Sequence, residues 1–248
     1  MIEIALGLLV IAGIALNAIV YHKLSKAIQL AKHEATRNSD NVITQIEALF
    51  AIYAEVRPTR ALPKSRRWAA SPDMLALMIY QTQKHFPKQI VECSSGYSTV
   101  VLAACLRNLG NGHLWSLEHE RHYAEETRAL LGVHGLTKWA TVVDSPLIPY
   151  ELTDWQGKWY DVSALTKPLA IDLLAIDGPP DELGRLARYP ALPALYNRLA
   201  PKGIVLLDDS NRVSERESLA RWLLEFPSLE LVPQPTCEKG CVVLQRKE

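Results

Sequence analysis

The sequence predicts an α/β fold: a doubly wound, mostly parallel sheet with helices on both faces, preceded by an N-terminal transmembrane helix and a helical stalk. Three observations carry this. From residue 89 onward, short apolar runs alternate with helical stretches, and such alternation implies parallel strands wound by right-handed crossovers. Five of those runs close on acidic residues: Glu92, Glu118, Asp144, Asp177 and Asp208-Asp209. Residues 2 to 21 are almost wholly apolar, broken only by Glu3 at the start and Asn17 near the end.

A chain of 248 residues, 48% hydrophobic and 22% charged, holds one sizeable α/β domain plus a smaller appendage and is not disordered. The formal charge is zero, yet residues 22 to 67 carry nine Lys/Arg against four Asp/Glu. That excess lies beside the apolar segment and reads as a membrane-topology feature, with no nucleic-acid partner implied. The cysteines Cys93, Cys105, Cys237 and Cys241 are too scattered for a disulfide framework. Cys237 and Cys241 could still pair across a turn or ligate a metal, although no second Cys/His pair completes a zinc site.

An apolar span of about 20 residues matches the bilayer core. No basic region precedes it and Tyr21-His22-Lys23 follows it, which favours an uncleaved anchor over a signal peptide. Lys23, Lys26, Lys32 and Arg37 then place the rest of the chain in the cytoplasm. A buried core helix is the alternative. Residues 22 to 56 carry an apolar stripe through Leu24, Ile28, Ala31 and Ala35, then Val42, Ile46, Leu49, Tyr53 and Val56. The stripe breaks at Asn38-Ser39-Asp40, where a second helix could be capped. This stalk could form a homodimeric coiled coil or pack on its own globular domain. Arg57 to Arg67, with Pro58, Pro63 and five basic residues, is a linker whose charges could touch anionic headgroups. The domains are thus an anchor (1–21), a stalk and linker (22–67) and a catalytic domain (68–248).

Ser71-Pro72-Asp73 is a strong helix start, with an N-cap serine, proline at the first position and an acid in the first turn. The first strand, about Gln89 to Glu92, runs into the turn Cys93-Ser94-Ser95-Gly96 and a helix from about Ser98 to Leu109. Backbone N–H groups and a dipole end at such a turn suit a nucleotide cofactor. Further strands are expected at about His113 to Leu117, Ala140 to Val143, Ile171 to Ile176 and Gly203 to Leu207. A last pair, Leu229 to Val232 and Cys241 to Gln245, surrounds the turn at Glu238-Lys239-Gly240. Ligands in open α/β sheets sit beyond the carboxyl ends of the strands, so the five acids would line one crevice.

Taken in order, Val91-Glu92-Cys93-Ser94-Ser95-Gly96-Tyr97-Ser98-Thr99, Leu117-Glu118, Ala175-Ile176-Asp177-Gly178-Pro179-Pro180, Leu199-Ala200-Pro201-Lys202-Gly203 and Leu206-Leu207-Asp208-Asp209 resemble a class I S-adenosylmethionine-dependent methyltransferase. The likeness is to a bacterial group whose first motif reads E-x-G-S-G-x-S-T and whose fourth strand ends I-D-G, and it covers about Ser71 to the C-terminus. It implies a Rossmann-like, seven-stranded sheet with the last strand antiparallel, and S-adenosylmethionine as cofactor. The Glu92 to Gly96 loop, with Ser94, Ser95, Ser98 and Thr99, would hold the cofactor's methionine end. Glu118, with His119 beside it, would accept hydrogen bonds from both ribose hydroxyls. Asp144 would take the adenine amino group, with Ser145 adjacent. The chain departs from the family at Cys93-Ser94, where glycine is usual and a Cβ restricts the backbone.

Asp177 is the leading base for an acceptor's proton, with Asp209 and Arg212 completing the catalytic set. The alternative makes Asp177 and Asp209 ligands for Mg²⁺, but the metal-dependent catechol-type enzymes carry Asp-Asn where this chain has Asp209-Ser210. Trp155, Trp159 and Tyr160, in the long connection before the fourth strand, could stack on an acceptor or fill a satellite core. Arg185, Arg188, Arg212 and Glu215 flank the acids and could hold an anionic acceptor or balance charge, Arg212 leaning to function and Arg185 to balance. The expected activity is methylation of an oxygen or nitrogen on a small-molecule, sugar or lipid-linked acceptor at the cytoplasmic membrane face. The competing classes are a membrane-tethered, non-catalytic scaffold and a nicotinamide-dependent enzyme, although the latter wants glycines this turn lacks.

Overall fold

A computed structural model describes residues 2–63, 69–165 and 170–248. Two compact units are present, Met1–Thr44 and Gln45–Glu248. Helix α1, Ile2–Val56, is continuous, so the capping residues at Asn38-Ser39-Asp40 do not start a second helix. Polar groups there are met locally: the Thr36 and Thr44 hydroxyls donate to the carbonyls of Lys32 and Asp40 at 3.1 and 3.0 Å. Ile2, Ile4, Leu6, Leu8, Ile14, Leu16 and Ile19 are exposed, unlike the side chains of a core helix. By length and composition this helix can cross a membrane. The expected boundary at 67/68 and the linker residues Lys64, Arg66 and Arg67 lie outside the described residues.

Within the second unit, the end of α1 contributes Ile52 and Val56 to the core. Helix α2, Pro72–His85, starts after Ser71 in extended conformation, with proline at its first turn. The cap differs from the expectation. Asp73, rather than Ser71, accepts from the Met74 N–H at 2.9 Å, and the Ser71 hydroxyl donates to the same carboxylate.

The strands, in chain order, are β1 (Gln89–Cys93), β2 (His113–Glu118), β3 (Ala140–Asp144), β4 (Leu147–Leu152), β5 (Trp155–Tyr160), β6 (Ile171–Ile176), β7 (Leu199–Asp208), β8 (Leu229–Val232) and β9 (Cys241–Arg246). Seven of them form the main sheet in the order β3-β2-β1-β6-β7-β9-β8. The first five of these pair in parallel, while β9 runs antiparallel to both β7 and β8. The expected doubly wound sheet with an antiparallel last strand is therefore present. Crossovers run through α3 (Tyr97–Leu109), α4 (Arg121–Val133) and α5 (Ala191–Leu195), with α6 (Val213–Glu225) leading to the last pair.

Side chains alternate across a strand, and the two cores follow that period. Ile90, Leu173, Ala175, Ile204 and Leu206 enter one hydrophobic layer with α2 and α3. Val91, Leu174, Ile176, Val205 and Leu207 enter the other, with Leu192, Trp222 and Tyr189. Both faces are covered, which is why the central strands read as continuous apolar runs.

The long connection before β6 is an antiparallel hairpin of β4 and β5. Its base is closed by the Asp161 N–H on the Pro146 carbonyl at 2.9 Å and the Ser145 hydroxyl on the Asp161 carbonyl at 2.8 Å. Cys237 and Cys241 are buried free thiols with no disulfide between them, and the Cys241 thiol donates to the Pro235 carbonyl at 3.4 Å.

Candidate active site

The turn after β1 answers the glycine question. Ser94 sits at a φ of 110°, in the left-handed half of backbone space that glycine prefers, so serine adopts the conformation at the cost of strain. It is pinned there by its N–H on the Leu117 carbonyl at 3.0 Å and by its carbonyl, which lies within hydrogen-bond reach of the Ser116 hydroxyl. Gly96 follows at a φ of 144°, and a Cβ added to it would meet no atom within 4 Å. Open space therefore lies over the turn where α3 begins, at a helix end whose first N–H groups lack intrahelical acceptors.

Glu92 is the floor of this turn rather than part of its lining. Its fully buried carboxylate accepts from the Thr99 and Ser116 hydroxyls at 2.7 and 2.9 Å. The Thr99 hydroxyl in turn accepts from the Gly96 N–H at 2.9 Å. Thr99 is fully buried and Ser98 nearly so, so Glu92, Ser98 and Thr99 shape the turn from behind while Ser95 and Gly96 form its open side. Burial pushes the Glu92 carboxyl up to about 6, against the hydrogen bonds that favour its charge. One of its oxygens has no hydrogen-bond partner.

Glu118, at the end of β2, is held rigidly. One oxygen accepts from the N–H groups of His119 and Glu120 at 2.8 and 2.9 Å, and the other from the Ser95 hydroxyl at 2.8 Å. Burial works against its charge, but the His119 ring, the Glu120 N–H and Ser95 outweigh it and hold the carboxyl below its usual value. An ionised carboxylate retains lone pairs for further donors. The β1, β2, β3 and β6 ends are tied together by Ser94 N–H to Leu117, Ser145 N–H to Glu118 at 2.7 Å and Asp177 N–H to Cys93 at 3.2 Å.

Asp144 and Ser145 each have a partner outside the turn. The Asp144 side chain is 68% exposed and forms an ion pair with Arg128 at 2.7 Å. The buried Ser145 hydroxyl is committed to the Asp161 carbonyl.

At the ends of β6 and β7, carboxylate oxygens of Asp177, Asp208 and Asp209 lie within 4.8 Å of one another. Among them lies Arg188, a flanking charge in the sequence. Its guanidinium is 3.3 Å from Asp177 and 2.9 Å from Asp209, donates to the Asp208 carbonyl at 3.2 Å, and lies 3.6 Å from Glu215. Only 4% of its side chain is exposed. Burial opposes its charge, but Asp177, Asp209 and Glu215 raise its proton affinity. Burial raises Asp177 to about 6, with Arg188 pulling the other way. Burial, then Asp177 and Asp209, push Asp208 well above the usual carboxylate range. Arg212 also reaches Asp209 at 2.9 Å and Asp181 at 3.4 Å, whereas exposed Arg185 binds Glu217 on α6 rather than a strand-end acid.

The hairpin aromatics divide. Trp159 and Tyr160 are buried in the second core layer, so they fill it, yet the Tyr160 hydroxyl has no hydrogen-bond partner. That hydroxyl lies 2.6 Å from where a Gly178 Cβ would stand, with the Ser94 Cβ and Cys93 carbonyl at 3.0 and 3.1 Å from the same point. Only glycine fits between the two strand ends. Trp155 instead donates its indole N–H to the Arg185 carbonyl at 3.3 Å, linking the hairpin to the segment that carries Arg188. The sequence signal for Arg188 is weak: it is the second arginine of Arg185-Leu186-Ala187-Arg188, flanked by apolar residues.

Residues 91–210 match a family described as "Methyltransferase domain". No curated protein matches the sequence. A Podospora anserina methyltransferase solved with S-adenosylhomocysteine is 17% identical, with a TM-score of 0.58 and 86% of this chain and 96% of that one covered. A Bacillus cereus O-methyltransferase, also with S-adenosylhomocysteine, is 18% identical, with a TM-score of 0.51 and coverage of 82% and 90%. TomG, an O-methyltransferase of Streptomyces achromogenes involved in tomaymycin synthesis and solved with S-adenosylmethionine, is 16% identical, with a TM-score of 0.52 and coverage of 82% and 89%. The fold is that of these methyltransferases.

Proposed function

We propose that this chain is an S-adenosylmethionine-dependent methyltransferase acting on an oxygen or nitrogen of a small-molecule, sugar or lipid-linked acceptor at the cytoplasmic face of a membrane. The observation that carries the reading is the pairing of the open turn at Gly96 with the preorganised, ionised Glu118 at the next strand end. These residues fit the cofactor. The space over Gly96 and the first turn of α3 suit its methionine end, and Glu118 suits a ribose diol, since a carboxylate only accepts hydrogen bonds. Ser95 fixes the Glu118 carboxylate and would border the ligand. Arg128 holds one oxygen of Asp144, so the carboxylate keeps lone pairs for an adenine amino group.

When bound, the cofactor supplies an activated methyl group on sulfur. The chain's own task is alignment of the acceptor and removal of its proton. Asp177 is the base: a carboxyl raised to about 6 is ionised at neutral pH yet more basic than an ordinary aspartate. Arg188 and Asp209 hold it in place, and Arg212, half-exposed beside them, would orient an acceptor. The apolar helix at the N-terminus supports a membrane-associated acceptor, and its stripe through Leu24 and Ile28 supports a homodimer through the stalk.

The test is incubation of the full-length protein with tritium-methyl S-adenosylmethionine and a membrane extract. Label in a small-molecule or lipid fraction is the expected outcome. Label confined to protein would overturn the acceptor class, and binding of S-adenosylhomocysteine without any transfer would favour the scaffold.

A further inference from the structure

We propose that Arg188 is a resident cation that takes the place of a divalent metal at the strand ends, making the acid cluster complete without an ion. Three carboxylates within 4.8 Å of one another cannot all stay ionised in a buried site without a counter-charge. A hard divalent ion would serve, given oxygen ligands with free lone pairs. Here the counter-charge is built into the chain. The Arg188 guanidinium bonds Asp209 at 2.9 Å, lies 3.3 Å from Asp177 and donates to the Asp208 carbonyl. The Asp209 oxygen that binds Arg188 also binds Arg212 at 2.9 Å, so two guanidinium groups already share it. The side chain following Asp209 is the hydroxyl of Ser210, a weaker metal ligand than an amide oxygen. The acids alone resemble a metal site, but this donor set does not fit one.

Arg188 is also anchored against leaving. The Ala191 N–H binds its carbonyl at 3.1 Å. On the next residue, the Tyr189 carbonyl accepts from the Trp222 indole at 2.8 Å and the Tyr189 hydroxyl donates to Glu225 at 2.6 Å. Upstream, Trp155 holds the Arg185 carbonyl. A backbone fixed on both sides and a guanidinium with four acidic neighbours describe a permanent fixture. Arg188 is thus a positioning residue, acting on the reaction through Asp177 and Asp209. The inference concerns the cluster's charge and stands apart from the cofactor reading.

The test is a Mn²⁺ titration of the full-length protein in detergent, followed by electron paramagnetic resonance, with S-adenosylhomocysteine affinity measured separately in each sample. The wild-type protein should show no Mn²⁺ site up to about 1 mM, and Arg188→Gln should gain one at least about tenfold tighter. A merely structural role for Arg188 would not create a metal site. Wild-type binding at micromolar Mn²⁺ that Asp209→Asn abolishes would overturn the proposal, as would a folded Arg188→Gln with no gain. Should Arg188→Gln not fold, the wild-type titration and Arg188→Lys, expected to remain metal-free, decide the matter. Loss of S-adenosylhomocysteine binding would count against the cofactor reading alone.

Discussion

Replacing Glu92 with glutamine should make the protein more stable at neutral pH, although Glu92 is a motif residue. Its carboxyl rises from an ordinary 4.5 to about 6 in the folded chain. Each tenfold change in proton affinity is about 1.4 kcal/mol, so keeping Glu92 ionised above pH 6 costs the fold about 2 kcal/mol. Between pH 4.5 and about 6 the folded state holds the proton more tightly than the unfolded state. This contribution therefore favours folding as the pH falls through that window, and the penalty is absent below it. Glutamine removes the charge and keeps an oxygen for Thr99 and Ser116, but places an amide N–H₂ where the unpartnered oxygen lies. That orphaned donor offsets part of the gain, leaving about 1 kcal/mol in favour of the variant at pH 7.5. Urea unfolding of the full-length chain in detergent, followed by tryptophan fluorescence at pH 7.5 and pH 4.5, measures it. The variant's advantage should shrink or reverse at the lower pH. A Glu92→Gln variant that fares worse against wild type at pH 7.5 than at pH 4.5 would show that the buried charge does not cost the fold stability.

Ser94→Gly relieves about 1–3 kcal/mol of backbone strain, against about 0.4–1 kcal/mol of added unfolded-chain entropy that opposes folding. It should therefore raise stability by about 1 kcal/mol in the same unfolding assay, and a destabilised variant would show that the Ser94 side chain is needed. Asp177→Asn should leave S-adenosylhomocysteine affinity unchanged and lower turnover about a hundredfold or more; wild-type activity should fall as the pH drops through about 6, where Asp177 takes up its proton. Full activity of that variant, or a rate unchanged through this range, would remove Asp177 as the base. A chain beginning at residue 45 should leave the membrane fraction and stay folded. One beginning at residue 57 lacks buried Ile52 and Val56 and should lose roughly 3–6 kcal/mol, at about 1.5–3 kcal/mol for each side chain; equal stability of the two would contradict that packing.

The central strands were legible because burial on both faces leaves only apolar side chains, and because each parallel strand stops where a polar turn meets the crevice. Helix α2 was legible from Pro72, although the capping group turned out to be Asp73. The hairpin was not, since Pro149, Lys158 and Gly157 interrupt any simple alternation and only Trp159 and Tyr160 of its strand residues are buried. Strand-end acids look alike in sequence whether they line a crevice or lie beneath it. What separates Glu92 from Glu118 is the pair of hydroxyls on Thr99 and Ser116, the latter on the neighbouring strand. The ion pair of Asp144 is not legible either, because its partner Arg128 lies sixteen positions earlier on α4. Arg188 belongs to no motif: it sits in an irregular segment, and its meaning comes from four acids brought together by the fold. The continuity of α1 through Asn38-Ser39-Asp40 shows how weak capping propensity is when nothing else ends the helix.

The most direct measurement is isothermal titration calorimetry of the full-length protein with S-adenosylhomocysteine, repeated with Glu118→Ala and with NADH as ligand. S-adenosylhomocysteine should bind at micromolar affinity, weakened by about 2–4 kcal/mol in the variant as charge-assisted hydrogen bonds are lost, with no comparable binding of NADH. Absence of S-adenosylhomocysteine binding at high micromolar ligand, an affinity untouched by Glu118→Ala, or equal binding of NADH would contradict the cofactor reading.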